Sequence, residues 1–223
     1  LAAPVSASDG DMPQKPSHHH SQKKVKVKYP AIKAYVKANE KMHRDMMIAY
    51  SGDADMDFAR GMVPHHQGAV DMAEIALQYG KDAEIRELAQ RIIVWQEAEI
   101  GMMKAWLAGR NSAWRAENAE SLESVKQYMA GMEKMHRDMN IDYTGNADID
   151  FARGMIPHHQ GAIDMAWTLK AYGKDPMLRK LADDVIRSQQ QEIRLMQNWL
   201  AKQPNLPIVK KKSGKHKGSC GHH

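Results

Sequence analysis

The chain has 223 residues, of which 43% are hydrophobic, and its formal net charge is +5 at pH 7. No stretch approaches the roughly 18 uninterrupted apolar residues of a membrane span, so we expect a globular protein without membrane insertion. Lysines cluster at both ends, and no basic face with interleaved aromatic residues is present, which argues against nucleic-acid binding. The single cysteine, Cys220, excludes an intrachain disulfide.

Methionine and histidine are strongly enriched. The chain contains 17 Met and 12 His but only 2 Phe. Methionine is flexible and specifies the packing of a core poorly, so this enrichment indicates a role beyond packing.

The two ends of the chain, residues 1–28 and 204–223, contain Pro, Gly, Ser, Lys and His without apolar periodicity, which predicts disordered tails. Residues 1–8 are small and apolar, as on the mature side of a removed export signal, although an arbitrary start explains them equally well. His216, Cys220, His222 and His223 make the C-terminal tail either a flexible chelator or simply a solvated segment.

The central region repeats itself at a constant offset of 93 residues. The segment KMHRDM begins at Lys41 and again at Lys134, and FARGM(V/I)PHHQGA begins at Phe58 and again at Phe151. The match runs without a gap, which predicts a tandem duplication.

Apolar residues at three- and four-residue spacing predict three helices in each repeat. In the first repeat the stripe of the first helix reaches Tyr50, Ser51 follows as a break, Asp53 or Asp55 caps the second helix, and Gly80 ends it. The expected segments are a first repeat at 29–110, with helices at about 54–79 and between Asp82 and Gly109, and a second repeat at 111–203, with helices at about 113–143, 147–172 and 176–201. No β-hairpin pattern is present, so the predicted fold class is all-α.

The centre of each repeat is the motif Met-x-Pro-His-His. Pro64 interrupts a helical pattern and predicts a kink or a restart of the helix at that residue. Met62 precedes His65 and His66 by three and four residues, and Met72 follows His65 by seven, so one face presents thioethers and imidazoles together. The corresponding residues of the second repeat are Met155, Pro157, His158, His159 and Met165.

A second group of Met and His lies on the first helix. Met42 and Met46, and His43 and Met47, are pairs four residues apart, and Met103 of the third helix can converge with them. The residues expected to act similarly in the second repeat are Met132, Met135, His136, Met139 and Met196.

The two repeats differ in this second group. Asn140 stands where the first repeat has Met47, and Met132 stands where it has Asn39. The partner of His136 is therefore Met132, one turn earlier, and the sites of the two halves need not be equivalent.

These donors favour copper over other metals. Thioether sulfur is a soft, neutral ligand that suits Cu(I) and, by similar chemistry, Ag(I), whereas imidazole accepts either Cu(I) or Cu(II). Zinc sites prefer Cys, His and carboxylate ligands, and a di-iron bundle needs Glu-x-x-His motifs, of which this chain has none. We therefore expect copper as the bound ion, with Cu(I) preferred and Cu(II) left open.

Polar residues also interrupt the apolar stripe of the third helix. Gln96 and Glu99, repeated as Gln189 and Glu192, need partners if they are buried. We favour salt bridges to Arg60 and Arg153 over the alternative, in which the carboxylate accepts a hydrogen bond from a histidine ring. Asp71 and Asp164 are further candidates for that alternative role.

The repeated motif resembles a known family. The pattern FARGMxPHHQGAxDMA, followed by (L/I)RxLA and QxxEIxxMxxWL, is similar over about residues 30–201 to the bacterial domain of unknown function numbered three hundred and five. The doubled form with His-rich tails resembles a cyanobacterial copper-binding member. This resemblance implies a ferritin-like helical fold, a periplasmic or secreted location, copper resistance by sequestration, and ligands at the Met–His positions of the first helix and the Met-x-Pro-His-His motif.

The function expected from these observations is copper binding that buffers or delivers the ion, with copper or silver ions and copper-sensing or efflux proteins as partners. One alternative is a redox enzyme that cycles Cu(I) and Cu(II), although no acid–base constellation accompanies the candidate ligands. Another is a structural domain with an adaptable Met-rich surface, for which metal would leave the stability unchanged.

Overall fold

A computed structural model describes residues 28–111, 113–205 and 207–209. These residues form six α-helices and one short 3-10 turn, and no strand is assigned among them. The helices are α1 (Pro30–Asp45), α2 (Ala54–Tyr79), α3 (Ala83–Ala108), α4 (Glu123–Asp138), α5 (Ala147–Tyr172) and α6 (Pro176–Ala201), with the turn at Ala119–Ser121. The all-α prediction is confirmed, and the arrangement is compatible with a ferritin-like bundle. Most of both predicted tails, including His216 and Cys220, lies outside the described residues.

The ends of α2 and α5 are fixed by side-chain caps. The carboxylate of Asp53 accepts from the backbone N–H groups of Asp55 and Met56 at 2.9 and 3.1 Å, and Asn146 caps α5 in the same way. These bonds satisfy N–H groups that have no partner inside the helix. The second helix begins after Asp53 and ends before Gly80, as the sequence predicted.

Pro64 lies inside a single continuous helix, as does Pro157 in α5. The predicted alternative of a restart at Pro64 is therefore wrong. A proline removes only one backbone N–H, and the remaining bonds of a 26-residue helix continue on both sides of it.

The first and fourth helices are shorter than predicted. The α1 helix ends at Asp45 rather than near Tyr50, and α4 spans 123–138 rather than 113–143. In the first half, the buried carboxylate of Asp57 accepts from the backbone N–H of Ser51 at 2.6 Å and from that of Gly52 at 2.9 Å. This contact holds the connection in a loop.

Helices α2 and α5 pack against each other in the centre, with α1 and α3 on α2 and with α4 and α6 on α5. The buried apolar residues form one cluster that runs through both halves. The halves are also tied crosswise, because the hydroxyl of Tyr35 donates to the carbonyl oxygen of Ala147 at 3.1 Å and that of Tyr128 to the carbonyl oxygen of Ala54 at 3.0 Å.

Loops reinforce the same crosswise connection. The carboxylate of Asp148 on α5 accepts from the backbone N–H of Lys81 at 2.9 Å, and Asp55 on α2 accepts from that of Lys174 at 2.9 Å. Each central helix therefore anchors the turn that joins the other pair of helices. None of the described helices combines the length and apolar character needed to cross a bilayer.

A close contact between α1 and α2 depends on a glycine. A Cβ added at Gly68 would lie 2.5 Å from the sulfur of Met42, and one at Gly161 would lie 2.6 Å from the sulfur of Met135. Both methionines are buried and cannot move into solvent. We expect Gly68→Ala to lower the free energy of unfolding by about 1–3 kcal/mol, as overpacked substitutions do, in a urea titration.

The matched control for this prediction is Gly101→Ala. Gly101 lies in α3 with nothing within 4 Å of the added Cβ, so this change should stabilise the helix by about 0.5–1 kcal/mol. Equal effects of the two substitutions would show that the Met42 contact imposes no constraint.

Candidate metal centre

The two histidine pairs lie at the middle of α2 and α5. The side chains of His65, His66, His158 and His159 are all 0% exposed. A buried polar group costs free energy unless it is hydrogen-bonded, so the bonds that these rings make decide their chemistry.

His65 and His158 bind each other's backbone where α2 and α5 meet. Nε2 of His65 donates to the carbonyl oxygen of His158 at 3.1 Å, and Nε2 of His158 donates to the carbonyl oxygen of His65 at 3.1 Å. The ring centroids are 3.9 Å apart. Because a carbonyl oxygen can only accept, both rings carry a proton on Nε2, and in the neutral form the lone pair is on Nδ1.

Burial keeps these two rings uncharged. Loss of solvation lowers the pKa of His65 and of His158 well below the usual value, and the neighbouring imidazoles lower both pKa values further. Nδ1 of each ring is buried and has no hydrogen-bond partner. A neutral imidazole with a free lone pair is the form that binds a metal ion.

His66 and His159 are held by carboxylates of the outer helices. Nε2 of His66 donates to Oε2 of Glu99 at 2.6 Å, and Nε2 of His159 donates to Oε2 of Glu192 at 2.6 Å. Nδ1 of both rings is again buried without a partner. A carboxylate on the far nitrogen of a histidine fixes the orientation of the ring, and metal-binding histidines commonly have such a partner.

The preferred sequence interpretation of Glu99 and Glu192 is therefore wrong, because each binds a histidine rather than Arg60 or Arg153. Apolar periodicity identifies the face of α3 on which Glu99 lies but does not show which residue of α2 is opposite. The structure places His66 there.

Asp71 and Asp164 do not take that role either. Asp71 accepts from Gln67 at 2.9 Å and forms an ion pair with Lys41 at 3.4 Å, and Asp164 accepts from Gln160 at 2.8 Å. A glutamine four residues earlier on the same helix is a nearer partner than any histidine.

Buried thioethers lie one helical turn from the histidine pairs. Met62 lies one turn before His66 on α2, and Met103 lies one turn after Glu99 on the antiparallel α3. The contact between His66 and Glu99 therefore brings Met62 and Met103 to the same level of the two helices. The methionines of α2, α3, α5 and α6 that the sequence selected are at most 7% exposed: Met62, Met72, Met103, Met155, Met165 and Met196.

Two of these methionines reach across the central contact. A Cβ added at Gly61 would lie 3.0 Å from Cε of Met165, and one at Gly154 would lie 3.1 Å from Cε of Met72. The donors available to one half therefore include a thioether from the other half.

The methionines of α1 and α4 divide into two groups. Met42, Met46, Met135 and Met139 are buried, and Met132 is half-buried against the core. Met47 is 76% exposed, because α1 ends at Asp45 and the expected pairing with His43 on one helical face is lost. The structure does not bring Met47 to the other candidates.

His43 and His136 form a pair of their own, near the ends of α1 and α4. Their ring centroids are 3.6 Å apart. Burial, and to a lesser degree the charge of His136, lowers the pKa of His43 to about 4, and burial also lowers the pKa of His136. Sequence reasoning selected both residues but did not foresee that they meet across the two halves.

A groove between α3 and α6 is a further feature that sequence reasoning missed. Its volume is about 630 Å³, and its lining includes Glu99, Glu192, Gln96 and Gln189. Oε1 of both glutamines is buried without a partner. Within residues 28–111, 113–205 and 207–209, no three His, Cys, Asp or Glu side chains converge as a metal-binding group.

The buried histidines predict a loss of stability in acid. Below the ordinary histidine pKa of 6.5, the unfolded chain binds protons that the folded chain excludes from His65 and His158. The stabilisation is complete above pH 6.5 and decreases as the pH falls, by about 1.4 kcal/mol per pH unit for each such ring. Urea titrations at neutral pH and at two pH values below 6.5 measure this decrease.

The control for this experiment is the double variant His65→Gln, His158→Gln. Glutamine retains an N–H donor but does not titrate, so the decrease in acid should be smaller in the variant. Identical pH profiles for the variant and the wild type would contradict this account.

This chain is similar to a known protein family and to several solved structures. The model of the DUF305 family, a domain of unknown function, matches residues 55–200. CopM in its Ag-bound form is 37% identical, and the match covers 66% of this chain and 94% of the CopM chain with a TM-score of 0.50. The Cu(I)-bound form of CopM is 38% identical over 66% of this chain and 95% of that chain, with a TM-score of 0.49.

Two further relatives extend the comparison. A DUF305 protein from Streptomyces coelicolor, described as secreted, is 30% identical over 68% of this chain and 92% of its own, with a TM-score of 0.52. Protein L153 of Acanthamoeba polyphaga mimivirus is 45% identical over 53 residues, which span 24% of this chain and 35% of the viral protein. One family match extends through both halves, and a separate family domain in each half stays a prediction. The chain belongs to the DUF305 family.

Proposed function

We propose that this chain binds copper in its core, with Cu(I) as the favoured ion, and buffers it outside the cytoplasm in a way that contributes to copper resistance. The observation that carries this proposal is the state of the four buried histidines. Each ring uses Nε2 for a hydrogen bond and leaves Nδ1 buried without a partner. Consecutive histidines in each half, with buried thioethers one turn away, supply one core centre per half.

The donor set supports a monovalent soft ion. Neutral imidazoles and thioethers are available in the core, whereas carboxylates contact only the far nitrogens of the rings. Soft neutral donors favour Cu(I), and the same chemistry extends to Ag(I).

The charge of the core supports the same ion. Glu99 and Glu192 place one carboxylate beside each histidine pair. One Cu(I) in each half would balance that charge, whereas Cu(II) would leave an uncompensated positive charge in a buried site, which is costly.

The relatives support the proposal in chemistry and in location. CopM, which this chain resembles in fold and at 37% identity, has been solved with silver and with copper. The Streptomyces coelicolor relative is described as secreted, in agreement with a site of action outside the cytoplasm. We propose storage and exchange of the ion with efflux or sensor proteins rather than catalysis, so the loaded protein should not accelerate the oxidation of Cu(I).

A titration with Cu(I) under reducing conditions, read with a competing chelator, tests this function. The key variant replaces His65, His66, His158 and His159 with Gln, because Gln can still donate to the same carbonyl and carboxylate oxygens. We expect its affinity for Cu(I) to fall by at least about 100-fold, since even the loss of a group behind a ligand costs 10–100-fold.

Methionine variants provide the matched comparison. Met62→Leu combined with Met155→Leu preserves the apolar volume but removes two sulfurs at the core, and should weaken binding. Met47→Leu removes a sulfur that is 76% exposed, and should leave binding unchanged. Wild-type affinity in a folded quadruple histidine variant would refute the core sites.

Thermal unfolding gives an independent readout of the same sites. An ion that binds only the folded state stabilises it by about 2.7 kcal/mol per site at a free concentration 100 times the Kd. Cu(I) should therefore raise the Tm of the wild type more than that of the quadruple variant, whereas a purely structural domain would show no rise in either.

A further inference from the structure

His43 and His136 meet at a point that the core sites do not include. They occupy equivalent positions in the two halves, two residues before α1 ends at Asp45 and α4 ends at Asp138. Their ring centroids are 3.6 Å apart, and the ring planes are inclined by 33°. Both residues are half-buried.

The bonds that this pair leaves unmade indicate a missing partner. Nε2 of His43 and Nε2 of His136 are both buried, and neither has a hydrogen bond. Leaving one buried polar group unsatisfied costs about 1–3 kcal/mol, so two such atoms on neighbouring rings are unfavourable for a contact that serves packing alone.

A third atom that could ligate a metal ion, the amide oxygen of Asn39, lies on the wall of the same cavity. The amide nitrogen of Asn39 is directed to the hydroxyl of Tyr143 at 3.5 Å, and its Oδ1 is buried without a bond. Asn39, His43 and His136 all line a cavity of about 480 Å³. The cavity has room for an ion together with water ligands.

The separation of the rings suits a shared ion. Two nitrogen ligands with metal bonds of about 2.0–2.1 Å stand roughly 3 Å apart on one ion. The ring centroids are 3.6 Å apart, so rotation of the two side chains can bring one nitrogen of each ring to a common ion.

We propose that His43 and His136 together form a second metal site, which takes a divalent copper ion and for which each half of the chain supplies one imidazole. Imidazole nitrogen, amide oxygen and water are donors that suit Cu(II), which binds more tightly than the other divalent first-row ions. The exposed carboxylate of Glu40 also lines the cavity and adds a negative charge to its wall, outside direct contact with an ion held by the two rings. This site goes beyond the proposed core function and does not depend on it.

The experiment compares the full wild-type chain with His43→Gln, His136→Gln and the double variant. Histidines outside the described residues are present in all four proteins, so their contribution to Cu(II) binding is the same and cancels in the differences. Cu(II) binding is followed by electron paramagnetic resonance and by the rise in Tm on adding Cu(II), and circular dichroism verifies that each apo protein is folded.

A shared site predicts that the two single variants behave like the double variant. Each should lose at least about tenfold in affinity for Cu(II), together with the nitrogen couplings of the second imidazole and most of the rise in Tm. Wild-type Cu(II) binding and an unchanged Tm rise in the double variant would overturn the proposal. Additive partial losses in the two single variants would also overturn it, because they would mean two independent surface ligands.

Crossing the variants separates this proposal from the core function. The quadruple core variant should retain the Cu(II) response of the His43–His136 pair, and the His43, His136 double variant should retain tight Cu(I) binding. Loss of Cu(I) binding only in the core variant would show that the two sites are independent. The Cu(II) response of the His43, His136 double variant would then decide whether the second site exists.

Discussion

The reciprocal hydrogen bonds between His65 and His158 are the contact on which the rest of the structure depends. They commit Nε2 of both rings and join α2 to α5 through the backbone of each helix. Because the acceptors are carbonyl oxygens, no other tautomer fits, and the two Nδ1 lone pairs are fixed inside the bundle. Met72 and Met165 reach the opposite helix across the same contact between α2 and α5. This one interaction therefore contributes both to the packing of α2 against α5 and to the orientation of the two candidate ligand rings.

The two outer helices extend this arrangement with charge. Glu99 and Glu192 orient the second histidine of each pair and bring a compensating carboxylate to its edge. They also line the groove between α3 and α6, so the charged groups nearest to the core histidines are those that face the cavity. Outside the core, His43 and His136 form a half-buried pair that lines a different cavity. The chain thus offers two kinds of donor environment, one dry and methionine-rich and one open to water.

The sequence predicted the helices best where side chains cap them. Asp53 and Gly80 bound α2 as expected, because capping depends on residues within one turn. It predicted the Met-x-Pro-His-His motif as the centre of the candidate site, since the spacing places its donors on shared faces. It named both an arginine and a histidine as partners of Glu99 and preferred the wrong one, and it did not predict the meeting of His43 and His136, because both contacts depend on which helices become neighbours. The sequence also did not predict that Met47 is exposed, because the loop after α1 is held by Asp57, a buried residue of the next helix.

The crosswise bonds of Tyr35, Tyr128, Asp55 and Asp148 give the molecule the internal architecture of a two-fold dimer whose subunits are joined covalently. In a dimer of separate chains, dilution favours dissociation, and the stability depends on protein concentration. Here the second half is supplied at a high effective concentration by the connecting segment between α3 and α4. Any centre that needs groups from both halves therefore persists at dilutions at which a two-chain assembly would come apart.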